Sequence, residues 1–468
     1  MTNPLLIDLA EKGVRDAERF GASYVDARAE QSVGTMIRQS NDVLDQASKG
    51  VMNGFGIRAL VDGAWGFSST VLMTREAVSE SARKAVSSAK AVSSNIKERV
   101  KIENTSPSRD SVKSRASQNP SDIEIARKMR VPTELVKAAR AQDQNVVSAS
   151  SVYLDATGQA AIATSDGTCV EMESCRILFS INAVAKSSDR LVSAREFEGT
   201  REGFEFLDRI NLLSYAKRAS QRALSLLKAK PAPSGRYKVV MDPELAGTFA
   251  HEAVGHACEA DLLISGESIL QNMLGKKIGS ELVTICDDPT MENGWGSYKY
   301  DDEGVKARKR VLVEKGILAG FITSKETSAK LGTTSNGGAR AESYAARPIV
   351  RMSNTYLSPG DYSVEELFEK VDSGIYVKGT NGGQVDTSKG TFQFSAEESY
   401  MIEKGKLTTP LLDVSLSGMT LETLNNIEAI AKDIKFNPGF CGKAYQSVPA
   451  GDGAPHFLAR NVVVGGRL

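Results

Sequence analysis

Residues 230–261 read KPAPSGRYKVVMDPELAGTFAHEAVGHACEAD, and the order of signals in them divides the chain. Lys230-Pro231-Ala232-Pro233-Ser234-Gly235 has linker composition, because proline removes backbone donors and Ser and Gly favour turns. Tyr237 to Met241 reads as a buried strand. Asp242-Pro243 then starts a helix, Asp as N-cap and Pro at the first helical position, where its missing N–H costs nothing. His251 falls about two turns into that helix. The main boundary is placed at 230–235, between a region 1–229 and a region 236–468.

Working outward, 468 residues exceed one ordinary core, so two or three domains of roughly 100 to 200 residues are expected. Lys plus Arg and Asp plus Glu both number 58, so no basic field points to direct nucleic-acid binding or to an acidic membrane. Near the N-terminus Leu5, Leu6, Leu9, Ala10 and Val14 keep a helical period broken by Asp8, Glu11 and Asp16, unlike the apolar run of a secretory signal. No stretch of about 18 uncharged apolar residues suggests a membrane span. The five cysteines show no CxxC spacing, which argues for a reducing compartment, the cytoplasm.

Upstream of the linker, Val25, Ala27 and Ala29 alternate with Asp26, Arg28 and Glu30, the period of a half-buried strand. Val51 to Val61 and Ala64 to Val71 flank Asp62-Gly63, a hairpin turn. Thr74 caps a helix to about Ser93. A Ser/Asn/Pro/Lys-rich stretch, 104–121, marks a sub-boundary before a helix at about 122–142. Strands follow over Val146 to Val184, then one long helix from Phe204 to Lys228. Downstream of the linker, hairpins dominate. Val311–Leu318 and Tyr400–Leu407 share one turn chemistry, which is convergence on a turn solution and not a repeat. The fold class expected is α+β: an N-terminal mixed α/β lobe and a C-terminal, largely antiparallel β domain that carries the histidine-bearing helix.

The chain has three histidines, and two of them close His251-Glu252-Ala253-Val254-Gly255-His256. Imidazole is a common zinc ligand, and a glutamate beside a ligating histidine is placed to take a proton from water that the metal acidifies. In the common zinc-peptidase helix the second histidine stands at i+4; here it stands at i+5, about 140° away on a regular helix. The helix must therefore deviate. A π-bulge would bring both rings to one face, with Gly255 easing the distortion because it lacks a Cβ. Glu259 and Asp261 are candidate acceptors for the ring N–H groups. A catalytic zinc needs a third protein ligand. Cys258 lies about 10 Å along the axis from His251, too far to share its ion. His456 and Cys441 remain, and spacing does not choose between them.

The match of blocks in order extends over nearly the whole chain. They are Gly56-Ile57-Arg58, Gly63-Ala64-Trp65-Gly66-Phe67, the histidine motif with Glu259 and Asp261, Asp301-Asp302-Glu303-Gly304, Arg340-Ala341-Glu342-Ser343-Tyr344, Gly382-Gly383-Gln384-Val385-Asp386, Cys441-Gly442-Lys443 and Val464-Gly465-Gly466. In these the chain resembles the TldD/PmbA peptidases, on the TldD side, since the PmbA (TldE) branch lacks the histidine motif. The resemblance implies a metal held by His251, His256 and Cys441, with Glu252 as acid/base. It also implies a heterodimer with a PmbA (TldE)-like subunit that encloses the site and admits extended or unfolded peptides. Two departures stand out: Tyr445 where glycine is expected, and His456 where the family reserves no histidine, which favours Cys441 and leaves His456 as a strand residue near the rim. The blocks around Asp301 and Arg340 read equally as groove-shaping or as a turn acidic cluster and a surface ion pair.

The function expected is metal-dependent hydrolysis of peptide bonds, the peptide adding to a sheet edge through its main chain. Zinc suits the His and Cys ligands, and iron is the alternative, because geometry and availability decide as well as affinity. The main rival is a non-enzymatic regulatory partner of the gyrase-modulator type with a structural metal, which a fourth protein ligand would mark. A second is hydrolysis of a non-peptide bond in a closed pocket.

Overall fold

Strands dominate the first half of the computed structural model, which describes residues 4–466; Met1 to Asn3 of the expected N-terminal helix, and the side chain of Leu5, lie outside the described part. After helix α1 (Pro4–Arg19), strands β1 (Tyr24–Ser40), β2 (Val43–Val61) and β3 (Ala64–Thr70) form a meander. Its Asp62-Gly63 turn has φ of 49° and 79°, with Val61 facing Ala64. Thr74 caps α2 (Arg75–Ser93) by accepting from the Ala77 N–H. Strand β4 (Arg109–Val112), helix α3 (Ile125–Arg140) and strands β5 (Val146–Thr164), β6 (Cys169–Lys186) and β7 (Leu191–Thr200) complete a sheet in the order β3-β2-β1-β5-β6-β4, with β7 also on β6. One end of this sheet packs Phe55 and Ile57 under Leu9, Val78 and Val86 of α1 and α2. The other end packs Tyr153 and Phe179 under the helices that follow them and under α3.

Three details differ from the sequence reading. The helix expected over 204–228 is two, α4 (Glu205–Arg209) and α5 (Leu212–Leu226). Ile210 is extended (ψ 153°), and Asn211 caps α5 by accepting from the Ser214 N–H, so a cap-forming side chain ends the run that apolar period alone would continue. The 104–121 stretch contains β4, which runs parallel to β6 at the end of the sheet order. Within 230–235, Lys230–Pro231 (β8) is taken into the second half's sheet as an edge strand, where proline's missing donor is tolerated.

In the second half β9 (Gly235–Met241) leads into α6 (Pro243–Phe249). Strand β9 pairs with Ser373–Asp386 on one side and Phe457–Gly465 on the other. Pairing continues through Ser415–Met419 to Thr391–Glu403, which returns to Ser373–Asp386 and closes the sheet on itself. A second, six-stranded sheet includes Ile285–Asp287, Asn354–Leu357, Gln446–Ala454 and Lys435–Lys443. Antiparallel pairing prevails, with parallel contacts at β8, at β9 and between Asn354–Leu357 and Gln446–Ala454. Both hairpins singled out by their turns are present, with Lys315-Gly316 and Lys404-Gly405 all at positive φ. The architecture is α+β. Helix α6 lies in the apolar core of this half, Phe249 stacking edge-on against Phe392 with ring centroids 5.3 Å apart.

Buried charge joins the halves. Arg58 of β2 bridges Asp26 of β1 at 2.8 Å and Glu303 at 2.6 Å, and Lys325 reaches Asp166. Among the described residues no helix is long and apolar enough to cross a membrane.

Candidate metal centre

Asp242 starts the helix as expected: its carboxylate accepts from the N–H groups of Leu245 and Gly379, both at 3.0 Å, pinning α6 to the strand Ser373–Asp386. The α-helical run ends at Phe249. Ala250–Gly255 is a π-helical turn, in which the His256 N–H reaches the His251 carbonyl five residues back. Five residues then make one turn, and the two imidazoles meet edge to face with centroids 5.4 Å apart. The expected distortion is present, but Gly255 serves it differently. Its φ of −56° is ordinary helix, whereas a Cβ there would stand 2.1 Å from the Met352 sulfur, so glycine is required for close approach and not for backbone freedom.

The third side chain arrives from the far end of the sequence. Cys441, on the strand Lys435–Lys443, faces Val448 across a hairpin and places its sulfur 3.4 Å from His256 Nε2. One donor atom from each of His251, His256 and Cys441 lies within 4.8 Å of the others. Burial alone would raise the Cys441 thiol, but the two histidines pull it down to about 5, which makes it a thiolate at neutral pH. Burial likewise opposes charge on His256, and Glu259 and Cys441 outweigh it, so its pKa is raised. His251 Nδ1 is buried without a hydrogen-bond partner. Two imidazoles and a buried thiolate brought together in this way are a donor set that a cation completes, and its N/S chemistry suits zinc.

Glu252 stands at the open side: its side chain is 37% exposed, with Oε2 3.8 Å from His256 Nε2. Behind the rings Glu259 is fully buried, its Oε2 2.8 Å from His256 Nδ1. Burial would raise Glu259, but His256 and Lys443 hold it down at about 2. Asp261 contacts neither histidine. It accepts from Lys443 at 2.7 and 2.8 Å, and Lys443 in turn reaches Glu259 at 3.1 Å and the Val350 carbonyl. Asp261 is therefore corrected from ring acceptor to anchor of the lysine that orients Glu259. Lys443 closes the Cys441-Gly442-Lys443 block, and the period-two spacing of the strand sends it to the same face as Cys441.

His456 lies elsewhere, in the link between Gln446–Ala454 and Phe457–Gly465 and not within a strand. Its ring joins Asp433 at 2.7 Å and the Tyr376 hydroxyl at 3.1 Å. Cys258 is fully buried in the apolar core, which pushes its thiol up. Tyr445, where glycine was expected, has φ of 61° beside Ala444 at 49°, so the hairpin turn does demand a glycine-like conformation of an L residue. The Asp301 block is no surface turn: Asp301 is buried and accepts from the N–H groups of Glu303, Val305 and Ala339. Nor is Arg340 in a surface ion pair; it is buried, donates to the Met352 carbonyl and lies 5.0 Å over the Tyr298 ring.

Three family models match consecutive stretches: PmbA/TldA metallopeptidase domain 1 over residues 25–91, the central domain over 118–227 and the C-terminal domain over 234–466. A curated relative from Methanothermobacter thermautotrophicus, named metalloprotease, is 44% identical over 95% of both chains. One from Saccharolobus solfataricus, named zinc metalloprotease TldD homolog, is 33% identical over 97% of this chain and 99% of its own. Among solved structures, TldE from Thermococcus kodakarensis superposes with a TM-score of 0.80 at 20% identity, covering 98% of this chain and 100% of that one. A Thermotoga maritima protein described as a putative modulator of a DNA gyrase gives 0.81 at 24% identity, covering 98% and 99%.

Proposed function

Because the chain belongs to the TldD/PmbA metallopeptidase family, we propose that it hydrolyses peptide bonds of extended or unfolded peptides at a divalent metal, zinc, held by His251, His256 and Cys441. The observation that carries this reading is the convergence of those three donors beside the exposed carboxylate of Glu252. When bound, the metal supplies Lewis acidity, polarising the scissile carbonyl and acidifying water. Glu252 takes the proton of the attacking water on its carboxylate and returns it to the leaving amine nitrogen. Glu259 holds His256 by accepting at Nδ1, which leaves Nε2 turned toward Cys441. The three-residue group, with no fourth protein donor counted in it among the described residues, fits the catalytic pattern of three ligands and an open place better than the closed four-ligand pattern of a structural zinc.

A PmbA (TldE)-like subunit is the proposed partner, covering the site. In support, the hairpin that carries Cys441 presents Phe440 and Tyr445 to solvent, 56% and 108% exposed. The five cysteines are all unpaired, which supports the cytoplasm as the working compartment. The test is metal analysis of the purified chain before and after chelation, alongside cleavage of an unfolded peptide with and without the companion subunit. One equivalent of metal, and cleavage lost on chelation and restored by zinc, are expected. A metal-free chain that still cleaves would overturn the reading.

A further inference from the structure

A cavity of about 480 Å³ lies where the first half of β6 and the end of β7 meet the 289–307 loop of the second half, with Arg201, Cys175, Asn293 and Tyr298 in its wall. Its chemistry is one-sided. Arg201 Nε is buried and has no hydrogen-bond partner. Burial is the largest cause disfavouring charge on Arg176, Arg201 and Arg340; Arg201 and Arg340 add to it at Arg176, and Arg340 adds to it at Arg201. Arg176 is held by the Trp295 carbonyl at 3.2 Å and Arg340 by the Met352 carbonyl at 2.7 Å, so both are fixed through neutral acceptors. No ion pair among the described residues engages Arg176, Arg201 or Arg340. The carboxylates in the wall are already committed, Glu173 to Lys113 at 3.1 Å and Glu292 to Arg115.

Buried guanidiniums without a direct ion-pair partner are costly to keep folded, and a guanidinium fork matches the planar oxygens of a carboxylate or phosphate. We propose that this cavity binds an oxyanion ligand, carboxylate or phosphate, with Arg201 as the direct donor and Arg176 and Arg340 setting the field. Trp295, whose carbonyl holds Arg176, donates to the Gly439 carbonyl on the Cys441 strand, but occupancy of the cavity does not require hydrolysis.

The test is calorimetric titration of the full chain at constant ionic strength in chloride. The probes are inorganic phosphate, a tetrapeptide with a free C-terminal carboxylate, and its C-terminal amide. Saturable binding of phosphate or of the free-acid peptide is expected, weakened at least tenfold in Arg201→Gln. Phosphate alone would assign a phosphate-bearing ligand, and the acid peptide without the amide would assign a carboxylate. Arg201→Lys, which keeps the charge and loses the fork, should bind more weakly than the parent. Since Arg201→Gln removes an uncompensated charge, its ligand-free Tm should equal or exceed the parent's. The proposal is overturned by no saturable binding of any probe, by equal binding of acid and amide without phosphate, or by undiminished binding in both variants.

Discussion

His256 and His456 make an instructive pair. Their side chains are 12% and 13% exposed, and each ring meets a carboxylate through Nδ1, at 2.8 Å from Glu259 and 2.7 Å from Asp433. They differ at the other nitrogen, which meets the Cys441 sulfur in one case and the Tyr376 hydroxyl in the other. A carboxylate-oriented imidazole is thus common to the candidate metal centre and to a plain structural link. What separates them is the convergence of further soft donors, and that depends on a π-turn and on a strand nearly two hundred residues away in sequence.

The comparison breaks most sharply at the ligands. Cys441→Ala or His251→Ala should abolish stoichiometric metal and all cleavage, while His456→Gln keeps both, as read by metal analysis and peptide assay; retained metal in Cys441→Ala would move the third ligand elsewhere. Next in size, Glu252→Ala should keep the metal and lose roughly a hundred- to ten-thousandfold in turnover. Activity surviving in that variant removes Glu252 from proton transfer. Glu259→Gln tests the carboxylate behind the ring and should weaken metal affinity about ten- to a hundredfold, where Asp433→Asn leaves it unchanged.

The smallest effect concerns stability alone and lies one turn or two before the motif. Burial, with Glu397 and Asp242 nearby, pushes Glu244 up to about 7. The folded chain therefore holds that proton more tightly than the unfolded one, so this group's stabilisation is full below about pH 4.5 and is lost as pH rises through 7. Glu244→Gln stays neutral, and its advantage over the parent in denaturant melts should grow between pH 5 and pH 8, by on the order of 2–3 kcal/mol. A flat difference across that range would refute the assignment.

Much of this was legible locally. The Asp62-Gly63 turn, the Thr74 cap and the Asp242-Pro243 helix start depend on a residue's own backbone preferences, and all are present. The break at Ile210-Asn211 was missed because apolar period continues across it, and only the cap bond to Ser214 ends the first helix. Likewise β1 and β2 extend well past the alternating stretches, since β2 is solvent-exposed from Val43 to Asn53 and the ladder to its partner strand, not burial, carries it there.

By itself the sequence determined many of the turns, caps and helix starts and the histidine spacing, and from that spacing the need for a π-turn, because helix geometry is a local property of the backbone. Only the tertiary structure decided which distant donor joins the two rings, why Gly255 has to be small, and that Asp261 serves Lys443 instead of a histidine. Those outcomes depend on which surfaces come within a few ångströms once the two sheets close over α6. No local preference encodes such proximity.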